Sequence, residues 1–495
     1  MDKDKTSNHL ATTSSSGSVA DVLRRLKSCI FTRVKQNFWA AVVQASTTFT
    51  PPPSDDYDRP DDVWEIGLNF PLALDCRTKK ASTSFDLRLK RSIFGQLHRA
   101  LNQLDDAALR RSYVHIQDAG QARAFFVKRE GEGVDDHGGP YRAVFQASLG
   151  EEVTEQLDIL VPCDNANEEL AENRDQYVLN PHFGSPETDR GGIMRHLGRL
   201  MGVAQRHGIQ VSLSLPQVIW KPLTGETLTV SDLKSINHSA VHSLQQLVLQ
   251  LARRGEDEDD SDALDLLLQA GQRTTLPAHL VRDILHVPPQ VEDDKGDDLS
   301  SLRTPVRLNN HDVQNLTELI WHSRLSGHSS LLDHLLEGLA AVVPSELFPI
   351  FTPHELEELF CGQALLDVAA LRRTTIYDGV SPTDEHIGMF WEAVEAMSPS
   401  EQSHLINFCS GRARLPPNTS DYPMFLKLTE PPMGSSKDPD KFLPTAQTCF
   451  FSLSLPCYSN LSVMLQRLRY AISNAALMDA DFAVRNASGW DEVTG

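Results

Sequence analysis

The chain has 495 residues, too many for one compact core, and its 40% apolar fraction is adequate for globular folding. A formal charge of −21 at pH 7 argues against broad binding to nucleic acid or anionic membranes. No apolar run approaches the ~20 residues of a membrane span. The polar start MDKDKTSNHLATTSSSGS lacks a secretory apolar core, and seven scattered cysteines without a CxxC pair argue against a disulfide framework or a zinc site. The expectation is a cytoplasmic protein without cofactor or metal.

In chain order, residues 1–20 read as a disordered polar tail and 21–112 as a partly helical N-terminal extension. From Asp21 to Ser46 an amphipathic helix is predicted, with Leu23, Leu26, Ile30, Val34 and Phe38 nearly in register. A basic amphipathic helix fits a membrane surface or a helix-binding partner, and more commonly packing on its own domain. It ends before Pro51-Pro52-Pro53 and an acidic linker; a helical segment follows around Ile93–Leu109. No internal repeat is visible.

The run FFVKREGEGVDDHGGPYRAVF predicts a strand at Phe125–Lys128, a glycine-rich turn and a helix starting near Pro140. Gly131, Gly133, Gly138 and Gly139 fit tight-turn geometry, because no phosphate-loop fingerprint accompanies them. Asp135, Asp136 and His137 fit turn and capping groups better than a metal site. Ile193, Leu197, Leu200, Met201 and Ala204 mark one buried helix face, stopped by Gly208, with His196 and His207 read as polar or capping residues. A further helical pattern spans Val241–Leu251, and residues 253–300 are acidic and interrupted. Thr352-Pro353-His354-Glu355 and Ser398-Pro399-Ser400-Glu401 both fit a capping box with proline at the first helical position. Between them, Tyr377–Glu385 is the candidate hinge, with Gly379 supplying backbone freedom. The next helix is expected to bury Ile387, Phe390, Trp391, Val394 and Met397.

Cys449 lies in LPTAQTCFFSLSLPCYSN, after a proline-bounded loop and before an apolar strand-like stretch. Leu461, Leu465, Leu468 and Ile472 then recur at helical spacing, with Ser459 or Asn460 able to cap the first turn. By itself a cysteine between apolar residues is more often buried filler than a loop nucleophile. Its neighbours carry more information.

The segment resembles the active-site loop of HECT-type E3 ubiquitin ligases, roughly LPxAxTCFxxLxLPxYS. Leu443, Pro444, Ala446, Thr448, Cys449, Phe450, Leu453, Leu455, Pro456, Tyr458 and Ser459 fall on that pattern. Gln447 and Phe451 depart from it, where many members carry histidine and asparagine. VKREGEGVDDHGGPYRAVF, RHLGRLMGVAQRHG, PHELEELFCG, TTIYDGVSPTDEHIGMFWEAV and INFCSGRARLPP extend the resemblance upstream in the right order. GEGVDDHGGPYR and LTEPPMGSSKDPDKFLPTAQTCFF look closest to the large HERC subgroup. The propeller repeats of that subgroup are not visible, so a shortened relative or a C-terminal fragment is expected.

The resemblance implies an α+β, bilobal domain. A larger, mainly helical N-lobe (113–376) would dock a ubiquitin-charged E2, and 377–385 would be the hinge. A smaller α/β C-lobe (386–495) would carry Cys449 as the glycyl-thioester residue, with ubiquitin then passed to lysines of protein substrates. Thr448 either orients the thiolate or bonds its own backbone. Arg414 either contacts ubiquitin or the lobe interface, or makes an inconsequential surface ion pair. In the tail, Phe482 is expected to pack on its own lobe and Trp490 to dock on the N-lobe. Residues 253–310 fit the family's E2-gripping subdomain poorly, which leaves a non-catalytic HECT-fold scaffold as the alternative. No histidine sits in a protease signature, so a cysteine hydrolase is disfavoured.

Overall fold

A computed structural model describes residues 19–48, 63–78, 80, 83–114, 121–131, 136, 138–168, 171–211, 213–239, 241–242, 246, 330–363, 366–410, 415, 427–429, 438–447 and 451–474. Residues 1–18, Gly133, Asp135, His137, most of Val241–Leu251, the acidic stretch 253–300, Arg414, Thr448, Cys449, Phe482 and Trp490 lie outside them. The architecture is mixed helix and sheet, as expected for an α+β chain. Among the described residues, most buried apolar side chains fall into two large cores that share no member, one from Trp39 to Cys361 and one from Leu371 to Ile472, with a small cluster of Val63, Tyr113 and Phe126 apart from both.

The first core forms around the helix Arg190–Arg206. Its expected face is buried, including Ile193, Leu197, Leu200, Met201 and Ala204, and Gly208 leaves the helix at φ +66°. The glycines of RHLGRLMG have a packing role. A Cβ on Gly198 would strike the Leu335 carbonyl, and one on Gly338 would strike the Arg195 carbonyl, so this helix and the helix at 330–342 cross backbone to backbone.

Strand β1 (Glu65–Leu68) runs parallel to β4 (Phe126–Arg129), and two short antiparallel pairs accompany them: β2 (Tyr113–Val114) with β3 (Ala122–Arg123), and β5 (Leu160–Pro162) with β6 (Tyr177–Leu179). The turn after β4 is organised by Asp136. Its buried carboxylate accepts from Arg123 at 2.6 Å and from the N–H groups of Val127, Gly138 and Tyr141, and Gly138 takes φ +96° before the helix Gly139–Leu149. Asp136 is thus a turn and capping group. His207 bonds the Tyr141 hydroxyl and the Arg111 carbonyl, and burial lowers its pKa to about 4. His196 is buried on Phe94, with Nε2 at 3.2 Å from the Phe94 carbonyl.

The N-terminal helix differs from expectation in two ways. It is broken into Val19–Arg25, a single 3₁₀ turn at Lys27–Cys29, and Thr32–Ala45. It also buries the other face: Leu23, Leu26, Val34 and Phe38 are exposed, while Lys35, Trp39 and Val43 are buried. Both faces of VKQNFWAAVV are apolar enough to serve, and the surrounding partners decide between them. Trp39 stacks on Phe348 at 5.7 Å and meets Phe351 edge-on. Glu355 takes 2.6 Å hydrogen bonds from both Thr32 and Lys35. At the other end, the Arg206 guanidinium donates to the Val43 and Val342 carbonyls and to the hydroxyls of Ser46 and Thr47. The helix is therefore fastened at both ends and in the middle.

The second core is built on a four-stranded sheet in the order β7-β8-β10-β9, where β7 is Ile376–Asp378, β8 Lys427–Thr429, β9 Thr445–Gln447 and β10 Ser452–Ser454. β8 is parallel to both β7 and β10, and β9 is antiparallel to β10. The helices Glu385–Ala396, Pro399–Ser410 and Leu461–Asn474 cover it. Both proline-bearing helix starts form the expected capping boxes: Thr352 with Glu355, and Ser398 with Glu401.

The boundary between the cores differs from the one read in the sequence. Tyr377 and Asp378 are not a free connector, because they pair with Leu428 and Thr429 in the sheet. Asp378 also meets Lys427 at 2.7 Å, and the Tyr377 hydroxyl accepts from Trp391. Leu366, Val368 and Leu371 already pack on the second core, so the change of core falls between Cys361 and Leu366. Gly362 sits there at φ +76°, and Gly379 follows β7 at φ +75°.

Two predictions test the anchoring of the N-terminal helix. Trp39→Ala should cost about 3–5 kcal/mol in urea unfolding, whereas Phe38→Ala should stay within about 0.5 kcal/mol of the parent. Burial opposes the charge on Glu355, but the bonds from Lys35, Thr32 and the Thr352 N–H outweigh it and hold the pKa below its usual value. A folded pKa below the unfolded one means stabilisation that is complete above the unfolded value and is lost as pH falls through the folded one. Glu355→Gln should therefore be most destabilising near neutrality, with the gap in urea midpoint closing on acidification.

Candidate active site: the frame of the Cys449 loop

The chain must reverse between β9 and β10, because Gln447 pairs with Ser452 in antiparallel register. Thr448, Cys449 and Phe450 follow Gln447 in sequence and lie outside the described residues. Among the described strands β9 lies at one end of the sheet, with Thr445 and Gln447 exposed. β10 lies inside the sheet, with Leu453 fully buried.

The approach to β9 is tied to the helix that follows β10. Asp440 accepts from the Ser459 N–H at 2.8 Å and from its hydroxyl at 2.5 Å, and the Asp440 carbonyl accepts from Arg467 at 2.8 Å. The Tyr458 hydroxyl donates to the Phe442 carbonyl at 2.9 Å. The bonds from the Ser459 hydroxyl and N–H hold the Asp440 carboxyl below its usual pKa. Asn460 caps the helix Leu461–Asn474 through the Val463 N–H at 3.0 Å, one of the two expected caps. Both ends of the loop-bearing segment thus converge on one helix N-terminus. Among these residues, Tyr458 and Ser459 carry the family pattern. Asp440 and Arg467 had no signal in the sequence, since their bond spans 27 positions.

Phe451, the first described residue after the loop, has φ +47° and a buried ring, and its carbonyl accepts from the Lys427 N–H at 2.9 Å. The other described thiols divide clearly. Cys163, Cys361 and Cys409 are buried, with Cys163 pushed to about 12 by burial and Cys409 also raised. Cys29 and Cys457 are exposed and not in disulfides. Of the expected site residues, Gly379 is described, while Cys449, Thr448, Arg414 and Trp490 are not. Leu415, next to Arg414, is buried, and its carbonyl accepts from the Gln363 N–H at 2.9 Å, at the change of core. No helix among the described residues is long and apolar enough to cross a membrane.

The HECT-domain (ubiquitin-transferase) family pattern matches residues 150–481, and the chain belongs to that family. It is 30% identical over 398 residues to E3 ubiquitin-protein ligase HERC2 of Mus musculus, covering 80% of this chain and 7% of that protein. It is 26% identical over 489 residues to the probable E3 ubiquitin-protein ligase HECTD4 of Homo sapiens, covering 92% of this chain and 11% of the relative. With E3 ubiquitin-protein ligase NEDD4 of Rattus norvegicus the identity is 25%, over 80% of this chain and 40% of the relative. The chain spans less than half the length of each of these three relatives. The first core extends well upstream of the matched residues, to Trp39.

Proposed function

We propose that this chain is a HECT-type E3 ubiquitin ligase, in which the first core belongs to an E2-docking N-lobe and the second to a C-lobe that carries ubiquitin on Cys449. The observation that supports this most directly is the match to the family across residues 150–481, together with a loop sequence held between β9 and β10. The partners are a ubiquitin-charged E2, ubiquitin and protein substrates, in a reducing, cytosolic setting.

In the first step the Cys449 thiolate attacks the carbonyl carbon of the E2–ubiquitin thioester. A new thioester forms and the E2 thiolate leaves. In the second, the neutral amine of a substrate lysine attacks that thioester, an isopeptide bond forms, the Cys449 thiolate departs and the amine's extra proton passes to solvent or a nearby base. Exchange of one thioester for another is close to balanced, so the rate depends on placement of the sulfur more than on a deep electrostatic well. A thiol of ordinary pKa is only a few per cent ionised at neutral pH, and the Thr448 hydroxyl is positioned in sequence to favour the thiolate or the developing oxyanion. Arg414 serves the lobe interface in this reading, beside the Leu415–Gln363 bond at the change of core. Trp490 docks on the N-lobe for the second transfer. Incubation with E1, a panel of E2 enzymes, ubiquitin and ATP should give a thiol-sensitive adduct on non-reducing gels. It should vanish in Cys449→Ala and persist in Cys457→Ala. No adduct with any E2, from a folded chain, would favour a non-catalytic scaffold.

The carrier must meet two partners, so the lobes have to move. The proposed pivot is the stretch bounded by the two left-handed glycines, Gly362 and Gly379. The helix Val368–Thr374 and β7 lie between them and pack with the second core in this conformation. Alanine at either glycine strains the backbone and narrows its freedom. Gly362→Ala and Gly379→Ala should slow loading or discharge of Cys449 while both lobes stay folded. Unchanged single-turnover kinetics in both variants would move the pivot elsewhere.

A further inference from the structure

The helix Thr32–Ala45 commits one face to the first core and leaves another apolar and uncovered. Lys35, Trp39 and Val43 face inward, whereas Phe31 is 83% exposed, Val34 57% and Phe38 51%, and Ala41 and Ala45 are exposed as well. These five recur at steps of three, four, three and four residues, from the N-cap Phe31 to the last residue of the helix. That is the narrow seam of a helix that pairs with one other helix. A helix lying on a membrane presents a broader apolar face.

The seam is uncharged and graded in size. Between Phe31 and Ala45 the charged residues are Arg33 and Lys35. Lys35 is buried on Glu355, and by helical spacing Arg33 falls well round the helix from the seam. Such a seam gives an acidic or basic partner no charge to read, and two like copies meet on it without repulsion. The bulky residues stand at the N-terminal end and the centre, and the alanines at the C-terminal end. In a parallel pair Phe31 would meet Phe31 and Ala45 would meet Ala45, so the helices would splay at one end. Antiparallel about Phe38, Phe31 lies across from Ala45 and Val34 across from Ala41, each larger side chain opposite a small one. That placement also sets the helix dipoles head to tail. With about 200 Å² for a whole phenylalanine, the seam exposes roughly 400 Å² of apolar surface per copy. At the usual apolar share of about two-thirds, two seams correspond to about 1,200 Å² buried in all, the lower end of specific interfaces.

We propose that the Phe31–Ala45 seam is a homodimer interface: two copies of this chain pair their N-terminal helices antiparallel, across a two-fold axis at Phe38. Each helix keeps its attachment to its own core through Trp39, Val43 and Lys35. The proposal goes beyond the ligase reading and does not depend on it.

The test uses the full-length chain at about 0.15 M salt, where the charge of −21 per copy is screened beyond ~8 Å. In sedimentation equilibrium the 55.0 kDa chain should move toward twice that mass as its concentration rises through the micromolar range. Phe38→Glu and Phe38→Lys each put like charges across the axis. Both should stay monomeric and keep the parent's circular dichroism, because the ring lies outside the core. Mixed one to one, they should recover the dimer, since opposite charges then meet at the axis. Direction is read from two doubly substituted chains. Phe31→Lys with Ala45→Glu should dimerise about tenfold more tightly than Phe31→Lys with Ala45→Lys, the scale of two surface pairs changing sign. Equal affinities in these two chains would overturn the antiparallel arrangement. A parent that is monomeric at every concentration overturns the proposal; if that monomer binds anionic vesicles and Phe38→Glu does not, the face belongs to a membrane surface instead. A dimer that persists in both single variants also overturns it, as do folded single variants that remain monomeric when mixed.

Discussion

Segregation of most apolar burial among the described residues into two large cores is the constraint on which the rest of this structure depends. Residues 39–361 contribute to one and 371–472 to the other, with no shared member. Separate cores of this kind are what the proposed movement of one lobe against the other would need, since packing within each need not change when the chain between them does. A one-core chain of this length could not offer that. The proposed chemistry requires it, since a thioester carrier has to face its donor and its acceptor in turn.

Stability of the larger body depends on a few charges taken out of water and paired or hydrogen-bonded there. The buried Arg206 serves carbonyls and hydroxyls from two helices, and Lys35 and Thr32 meet on Glu355, which also caps its own helix. Arg123 and Asp136 form a buried pair that holds the turn after β4. Such groups cost much if one partner is removed, because the survivor is left charged in a poor solvent. Their geometric effect is specific: they select one face and one register of the N-terminal helix. That helix lies outside the family match and is nevertheless continuous with the core beneath it.

Around the Cys449 segment the design is different. The cysteine segment is reached along an outer strand with exposed residues, and its two ends are gathered at one helix N-terminus by Asp440, Tyr458, Ser459 and Arg467. The flanking strands are short, three residues each, so they cannot hold the loop by ladder bonds alone. Side-chain ties and the buried ring of Phe451 make up the difference. A frame of this kind fixes the strands on either side of the Cys449 segment.

Local chemistry was legible in the residues themselves. The capping boxes at Thr352 and Ser398, the turn and helix around Asp136 and Gly138, the buried face of Arg190–Arg206 and its stop at Gly208 all follow from interactions within a few positions of each other. The cysteine loop was legible for another reason, since its long ordered pattern matched a family. Four features needed the tertiary structure. Which face of Thr32–Ala45 turns inward depends on Phe348, Phe351 and Glu355, some three hundred positions away. The close-approach role of Gly198 exists only because Gly338 comes opposite it. Tyr377 and Asp378 read as a connector by their glycine- and proline-containing surroundings, and became a strand because β8 offered partners. Phe451 reads as an ordinary apolar residue, and its left-handed backbone appears only where β8, β10 and the second core fix its position. Sequence determines what a segment prefers locally, because capping, turn and periodicity energies are paid between near neighbours. Only tertiary structure decides between two acceptable faces or hands, because the contacts that break the tie come from elsewhere in the chain.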